Sequence, residues 1–178
     1  MSLKLIKLRW RLFYWTLIGR IKKLHIPFNT ERDFNNKKKV LIFFPMNKSA
    51  FKLSQYTFRK LGQKKANDYI FVTKEEYRQK FQINVGKVLL INHSKSENML
   101  SDEKLILNKL KNIEYDTIID LNEEFHLGIA RLISQLSAKL KVGFAHKYSD
   151  RFYNMQLDIS KSDVLEKGFK QVDALLIS

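Results

Sequence analysis

The 178-residue chain contains no cysteine, two prolines and six glycines. Without thiols there is no disulfide, no zinc–thiolate or iron–sulfur ligation and no cysteine nucleophile. The same absence suits a reducing compartment. No glycine occurs between Gly19 and Gly62, and neither G-x-G-x-x-G, a P-loop nor a G-x-S-x-G elbow occurs anywhere. A turn that lets the backbone close on pyrophosphate needs such glycines, so conventional NAD or ATP binding is disfavoured and no cofactor is expected. His25, His93, His126 and His146 are dispersed, with no HExxH or HxxxH spacing, so no metal is expected. Long apolar runs are missing as well. The longest uncharged run near the N-terminus, Leu12–Gly19, falls well short of the ~20 apolar residues a spanning helix requires. Charge recurs throughout that region and no A-x-A-like site follows it, which argues against a signal peptide.

What is present is a folded core and an uneven charge. Hydrophobic residues make up 44% of the chain and aromatics 12%, too many for a disordered segment. The length fits one domain. Net charge is +15, and residues 1–39 hold eleven Lys/Arg against only Glu31 and Asp33. The excess basicity is therefore concentrated at one end, which points to an anionic surface, either lipid headgroups or nucleic acid.

Residues 1–26 carry a helical period. Leu3, Ile6, Trp10, Phe13, Leu17 and Ile21 recur at steps of three and four and form an apolar stripe, widened by Leu12 and Trp15. Lys4, Lys7 and Arg11 lie opposite. Aromatic and aliphatic residues on one face with cations on the other suit an interfacial helix that contacts an anionic membrane surface. The alternative is a terminal helix docked on its own domain. Pro27 ends the segment, and residues 27–39 read as a polar linker.

From residue 40 to 178 short apolar runs alternate with helical periods, as in a single Rossmann-like α/β domain with a mostly parallel sheet and flanking helices. The runs are Val40–Phe44, Tyr69–Val72, Val88–Ile91, Thr117–Leu121 and Lys141–Phe144. Each is apolar on successive residues, as strands buried on both faces are. Thr73-Lys74-Glu75-Glu76 reads as a capping box, and Asp102 and Glu103 suit a helix first turn. Phe125, Ile129, Leu132, Ile133, Leu136 and Leu140 read as one helical stripe. Val164, Leu165, Phe169, Val172 and Leu176 read as the inward face of a last helix capped near Ser160.

Ligands of open parallel sheets bind beyond the carboxyl ends of the strands. The rule selects Asn47, Lys48 and Ser49 after the first run, with His93 after the third. It selects Asp120, Asn122, Glu123 and His126 around the fourth, and His146 after the fifth. Simpler roles compete at several of these. Asn47–Ser49 can be an N-cap, Glu123 and Glu124 can be first-turn carboxylates, and His93 can be a solvated loop residue.

Three of these segments resemble the N-terminal half of the bacterial heptosyltransferase-like glycosyltransferases, a family of two-domain GT-B architecture. They are Lys38–Leu61, Tyr115–Leu121 (YDTIIDL) and Lys141–Phe144 with the aromatic stretch Asp150–Asn154. The resemblance implies an acceptor-side half-domain. In the family the second half binds the nucleotide-sugar donor, and the chain ends where the first half would. The family's strand-one loop also carries a Gly-Asp pair whose Asp is taken as the catalytic base. Here that loop reads Asn47-Lys48-Ser49, with no acid, so no catalytic residue is carried over.

The expectation is thus a protein of cell-envelope glycan metabolism, peripheral on the cytoplasmic face of the cell membrane and without independent catalysis. A glycan acceptor or a partner transferase subunit would be its further partners. The alternative is an active glycosyltransferase completed by a partner's donor domain. A nucleic-acid binder is disfavoured, because Trp10 and Phe13 lie on an apolar stripe rather than among the cations.

Overall fold

A computed structural model describes residues 10–15, 38–61, 68–92, 100–159 and 164–177. Six strands form one parallel sheet: β1 (Lys39–Phe43), β2 (Asp68–Lys74), β3 (Lys87–Ile91), β4 (Tyr115–Asp120), β5 (Ala138–Phe144) and β6 (Met155–Leu157). Their order is β3-β2-β1-β4-β5-β6. Every ladder is parallel. The helices are α1 (Lys48–Phe58), α2 (Glu103–Leu110), α3 (Leu127–Gln135) and α4 (Leu165–Ile177). The Rossmann-like expectation holds, and this strand order is that of the doubly wound dinucleotide fold.

Alternating side chains send the two sheet faces into two cores. On one face, Leu41, Phe43, Val72 and Ile118 pack against Ile106 and Leu110 of α2 and Ile129, Leu132 and Ile133 of α3. On the other, Val40, Ile42, Phe71 and Ile119 pack against Ala50, Phe51 and Phe58 of α1 and Phe169, Val172 and Leu176 of α4. Phe44 organises the second core. Its ring meets Phe51, Phe58, Phe71 and Phe81 edge-on, at centroid distances of 5.2–6.3 Å. Such edge-to-face pairs add about 1 kcal/mol each beyond area burial.

Part of the N-terminal segment belongs to the first core. Residues 10–15 are helical. Leu12 and Trp15 are buried there, whereas Trp10, Phe13 and Tyr14 point outward. The rest of the proposed lipid-facing set (Leu3, Lys4, Ile6, Lys7, Leu17 and Ile21) lies outside the described residues, as does most of the 27–39 linker.

Several local expectations need correction. Thr73 does not cap a helix. It stays in β2, paired with Leu90, and a 3-10 segment follows at Glu75–Lys80 with no side-chain cap. Leu140 does not extend the α3 stripe. The backbone turns extended at Leu136, and β5 starts at Ala138 to pair with Tyr115. Val164 is exposed rather than inward, and the Ser160 cap lies outside the described residues. The short strand β6 was not anticipated. Before β3, Gly86 holds φ +75° with room only for hydrogen, since a Cβ there would sit 2.4 Å from the Tyr69 carbonyl oxygen.

Candidate functional site

The sheet order places β1 beside β4, and the two strands send their crossovers to opposite faces. Their carboxyl ends therefore diverge, which is the switch point where open α/β sheets bind ligands. A cleft of about 280 Å³ opens there. Pro45, Met46, Asn47 and Ala50 line it from the β1 side, Lys74 from the end of β2, and Asn122, Glu123, Glu124 and His126 from the β4 side.

The floor of the cleft is held by a chain of polar contacts. Tyr153 donates its hydroxyl to one oxygen of Asp120 at 2.5 Å. The other Asp120 oxygen accepts the Asn122 amide nitrogen at 2.6 Å and its backbone N–H at 3.1 Å. Asn122 Oδ1 in turn accepts the Met46 N–H at 2.8 Å. From the far side, the Tyr77 hydroxyl donates to the Met46 carbonyl at 2.9 Å. The β1 loop is thus clamped through both polar groups of one peptide residue.

This network is buried and its groups titrate abnormally. Burial pushes the Asp120 carboxyl above its ordinary range, against the opposing pull of the Tyr153 and Asn122 donors. Burial and the adjacent Asp120 charge push the Tyr153 hydroxyl well above its usual value. His146 is held below the ordinary imidazole range by desolvation, although Asp120 and Glu124 both favour its charged form. Its Nε2 is buried without a hydrogen-bond partner. The room for Tyr153 comes from Gly143, where an added Cβ would lie 2.8 Å from the phenol ring.

The expected site residues fall into three groups. Asn47, Asn122, Glu123 and His126 line the cleft together. Asp120 and His146 lie behind it, in the supporting network. Lys48 and Ser49 begin α1 as exposed residues outside the cleft lining. His93 is outside the described residues. Asn47 does act as an N-cap, its Oδ1 accepting the Ser49 N–H at 2.8 Å and the Ser49 hydroxyl at 2.5 Å. Glu123 and Glu124 are not first-turn carboxylates, because α3 begins only at Leu127 and its first turn holds no acid. They face the cleft instead. Tyr77 and Tyr153 carry no sequence signal for their bracing roles, since no local pattern marks a tyrosine as the partner of an aspartate 33 positions away.

Chemically, the cleft sets carboxylates on one side against an ammonium on the other. Lys74 bonds Glu76 at 3.0 Å and sits 5.4 Å from the Tyr77 ring centre. Such a mixture of acceptors and a donor suits a ligand rich in hydroxyl groups, which both donate and accept. Among the described residues no cluster of histidine and carboxylate side chains could hold a metal ion.

No family model matches the chain, and no curated protein matches its sequence. Solved structures do match it in fold. E. coli heptosyltransferase WaaC with ADP superposes with a TM-score of 0.61 at 18% identity, over 79% of this chain and 47% of that one. WaaC with ADP-2-deoxy-2-fluoro heptose gives a TM-score of 0.59 at 17% identity, over 78% and 48%. The chain therefore has the fold of about half of a GT-B glycosyltransferase and spans about half that enzyme's length.

Proposed function

We propose that this protein is a glycosyltransferase-like half-domain of cell-envelope glycan metabolism, which holds a hydroxyl-rich acceptor in the switch-point cleft and does not catalyse transfer on its own. One observation carries the reading. The β1 loop, where the resemblance calls for a catalytic acid, offers only Asn47, and its Oδ1 is occupied in capping α1. The cleft around it is nevertheless built and braced, with polar groups disposed for hydroxyl contacts. With no acid in the β1 loop, binding is the role we assign to the cleft, although Glu123, Glu124 and His126 also line it.

The basic N-terminal segment adds a location to this reading. Its eleven cations in 39 residues and its outward Trp10, Phe13 and Tyr14 favour a bilayer surface, where a peripheral protein would meet lipid-linked glycans. No described helix is long and apolar enough to cross a membrane.

The purified chain incubated with ADP-heptose or UDP-glucose is expected to release no sugar above the uncatalysed rate. Steady turnover of either donor would contradict the non-catalytic assignment. Turnover that depends on Glu123 or Glu124 would favour the alternative of an active transferase, since those carboxylates face the same cleft.

A further inference from the structure

The helical turn at residues 10–15 has two faces with different fates. Leu12 is 1% exposed and Trp15 7%, both within the core that α3 covers. The Arg131 guanidinium lies 4.6 Å above the Trp15 ring. Arg131 is itself fixed, its Nε donating to Glu103 Oε1 at 2.6 Å and its terminal nitrogen ion-paired with the other carboxylate oxygen. Trp15 is therefore clamped by a largely buried ion pair that bridges α2 and α3. A cation held over an indole is attracted most strongly where water is excluded.

The opposite face is bare. Trp10 is 69% exposed, Phe13 56% and Tyr14 59%, with the Trp10 and Phe13 rings edge-to-face at 6.3 Å. These positions are spaced i, i+3, i+4 and form one patch. Arg11 lies beside it, also exposed. Three large aromatics on one exposed turn are costly in water and suit the headgroup boundary, where Trp and Tyr are enriched. The net charge of +9 over residues 1–39 selects an anionic bilayer as the occupant.

We propose that this turn meets the membrane while still docked on the domain. Trp10, Phe13 and Tyr14 enter the interface while Leu12 and Trp15 remain in the protein core. Docking and lipid contact are then two faces of one device rather than alternatives. The consequence is mechanical. The sheet is carried on the bilayer in one orientation, not on a loose tether, so the cleft is presented at a set angle and height. The inference rests on the membrane-surface reading above.

The two tryptophans allow a direct test. Full-length Trp15→Phe leaves Trp10 as the only indole, and Trp10→Phe leaves only Trp15. Each is mixed with phosphatidylcholine–phosphatidylglycerol vesicles brominated along the acyl chains, and binding is followed by flotation. Trp10 emission is expected to shift to the blue and be quenched, while Trp15 emission keeps its lipid-free intensity. In Arg131→Met, with the clamp removed, Trp15 should become quenchable. Fluorotryptophan labelling of the unsubstituted chain reads both indoles should Trp15→Phe weaken the fold.

Flotation with both indoles quenched would overturn the docked orientation and leave the membrane reading standing. Flotation with neither quenched would show a purely electrostatic contact and also overturn it. Absence of flotation would remove the membrane reading itself. A lipid-free dimer that becomes monomeric when Trp10, Phe13 and Tyr14 are changed to serine would assign the patch to a second copy of the chain, against the proposal.

Discussion

Replacing Asp120 with alanine is expected to lower stability by about 2–4 kcal/mol, because several buried donors lose their shared acceptor. The carboxylate is the acceptor for the Tyr153 hydroxyl and for two nitrogens of Asn122. Its loss would leave these buried donors without an acceptor, at about 1–3 kcal/mol for each unsatisfied group. Asn122 would also lose the anchor that holds its Oδ1 against the Met46 N–H, so the β1 loop should loosen with the core. Asp120→Asn is expected to be much milder. It keeps the shape and one acceptor, and the phenol oxygen can accept from the new amide.

Denaturant titration of both variants checks this, and an alanine variant within about 1 kcal/mol of the parent would contradict it. The pH dependence has a definite sign. Because burial raises the folded-state pKa of Asp120, its contribution is fully present below the unfolded value and is lost as pH rises through the folded one. The Asn variant should lack that loss.

The second large effect runs the other way. Lys141→Met is expected to stabilise the protein at pH 7 by about 2–3 kcal/mol. Lys141 lies in the middle of β5, paired with Ile118 and only 4% exposed. Desolvation lowers its pKa from 10.5 to about 8. The folded lysine is still largely charged at pH 7, so the cost of partly desolvating the ammonium is present there, at about 1.4 kcal/mol per pH unit of displacement. Between pH 8 and 10.5 the folded state releases its proton before the unfolded chain does. Parent stability should therefore rise across that window, and the methionine variant should lose the rise. A variant that is destabilised at pH 7, with the parent's alkaline slope intact, would show that the ammonium is well solvated or paired.

Both residues illustrate what can and cannot be seen in a sequence. The strands were legible because β1, β2 and β4 are covered on both faces and so read as unbroken apolar runs. β6 was not, being three residues long, with Gln156 exposed between two half-buried neighbours. Leu140 fell on a helical period by coincidence. What decided its fate was the backbone demand of the neighbouring strand, which recruits Ala138–Phe144 into the ladder. Thr73 matched a capping pattern, but its backbone is already committed to pairing with β3.

The site followed the same division. The rule that ligands gather beyond strand ends located Asn47, Asn122, Glu123 and His126 without any geometry. It could not separate residues that face the cleft from those that brace it. Asp120, read as a candidate ligand residue at the end of the fourth run, is buried behind the cleft, because its partner Tyr153 arrives from beyond β5 over a glycine. The N-terminal period showed an amphipathic helix, but Leu12 and Trp15 do not widen its Trp10–Phe13 stripe: residues two apart fall on different faces of a helix, and these two face inward while Trp10 and Phe13 face out. The inward face is the one that meets the Arg131–Glu103 pair, assembled from two helices far apart in sequence.

The central claim is that the cleft between β1 and β4 receives a hydroxyl-rich acceptor. Amide-resolved NMR of the full chain, titrated with a heptose-containing core oligosaccharide, tests it most directly. The account predicts shifts concentrated at Met46, Asn47, Asn122 and Glu123, and their loss in Asn122→Ala. Shifts confined to other surfaces, or none at saturating sugar, would contradict it.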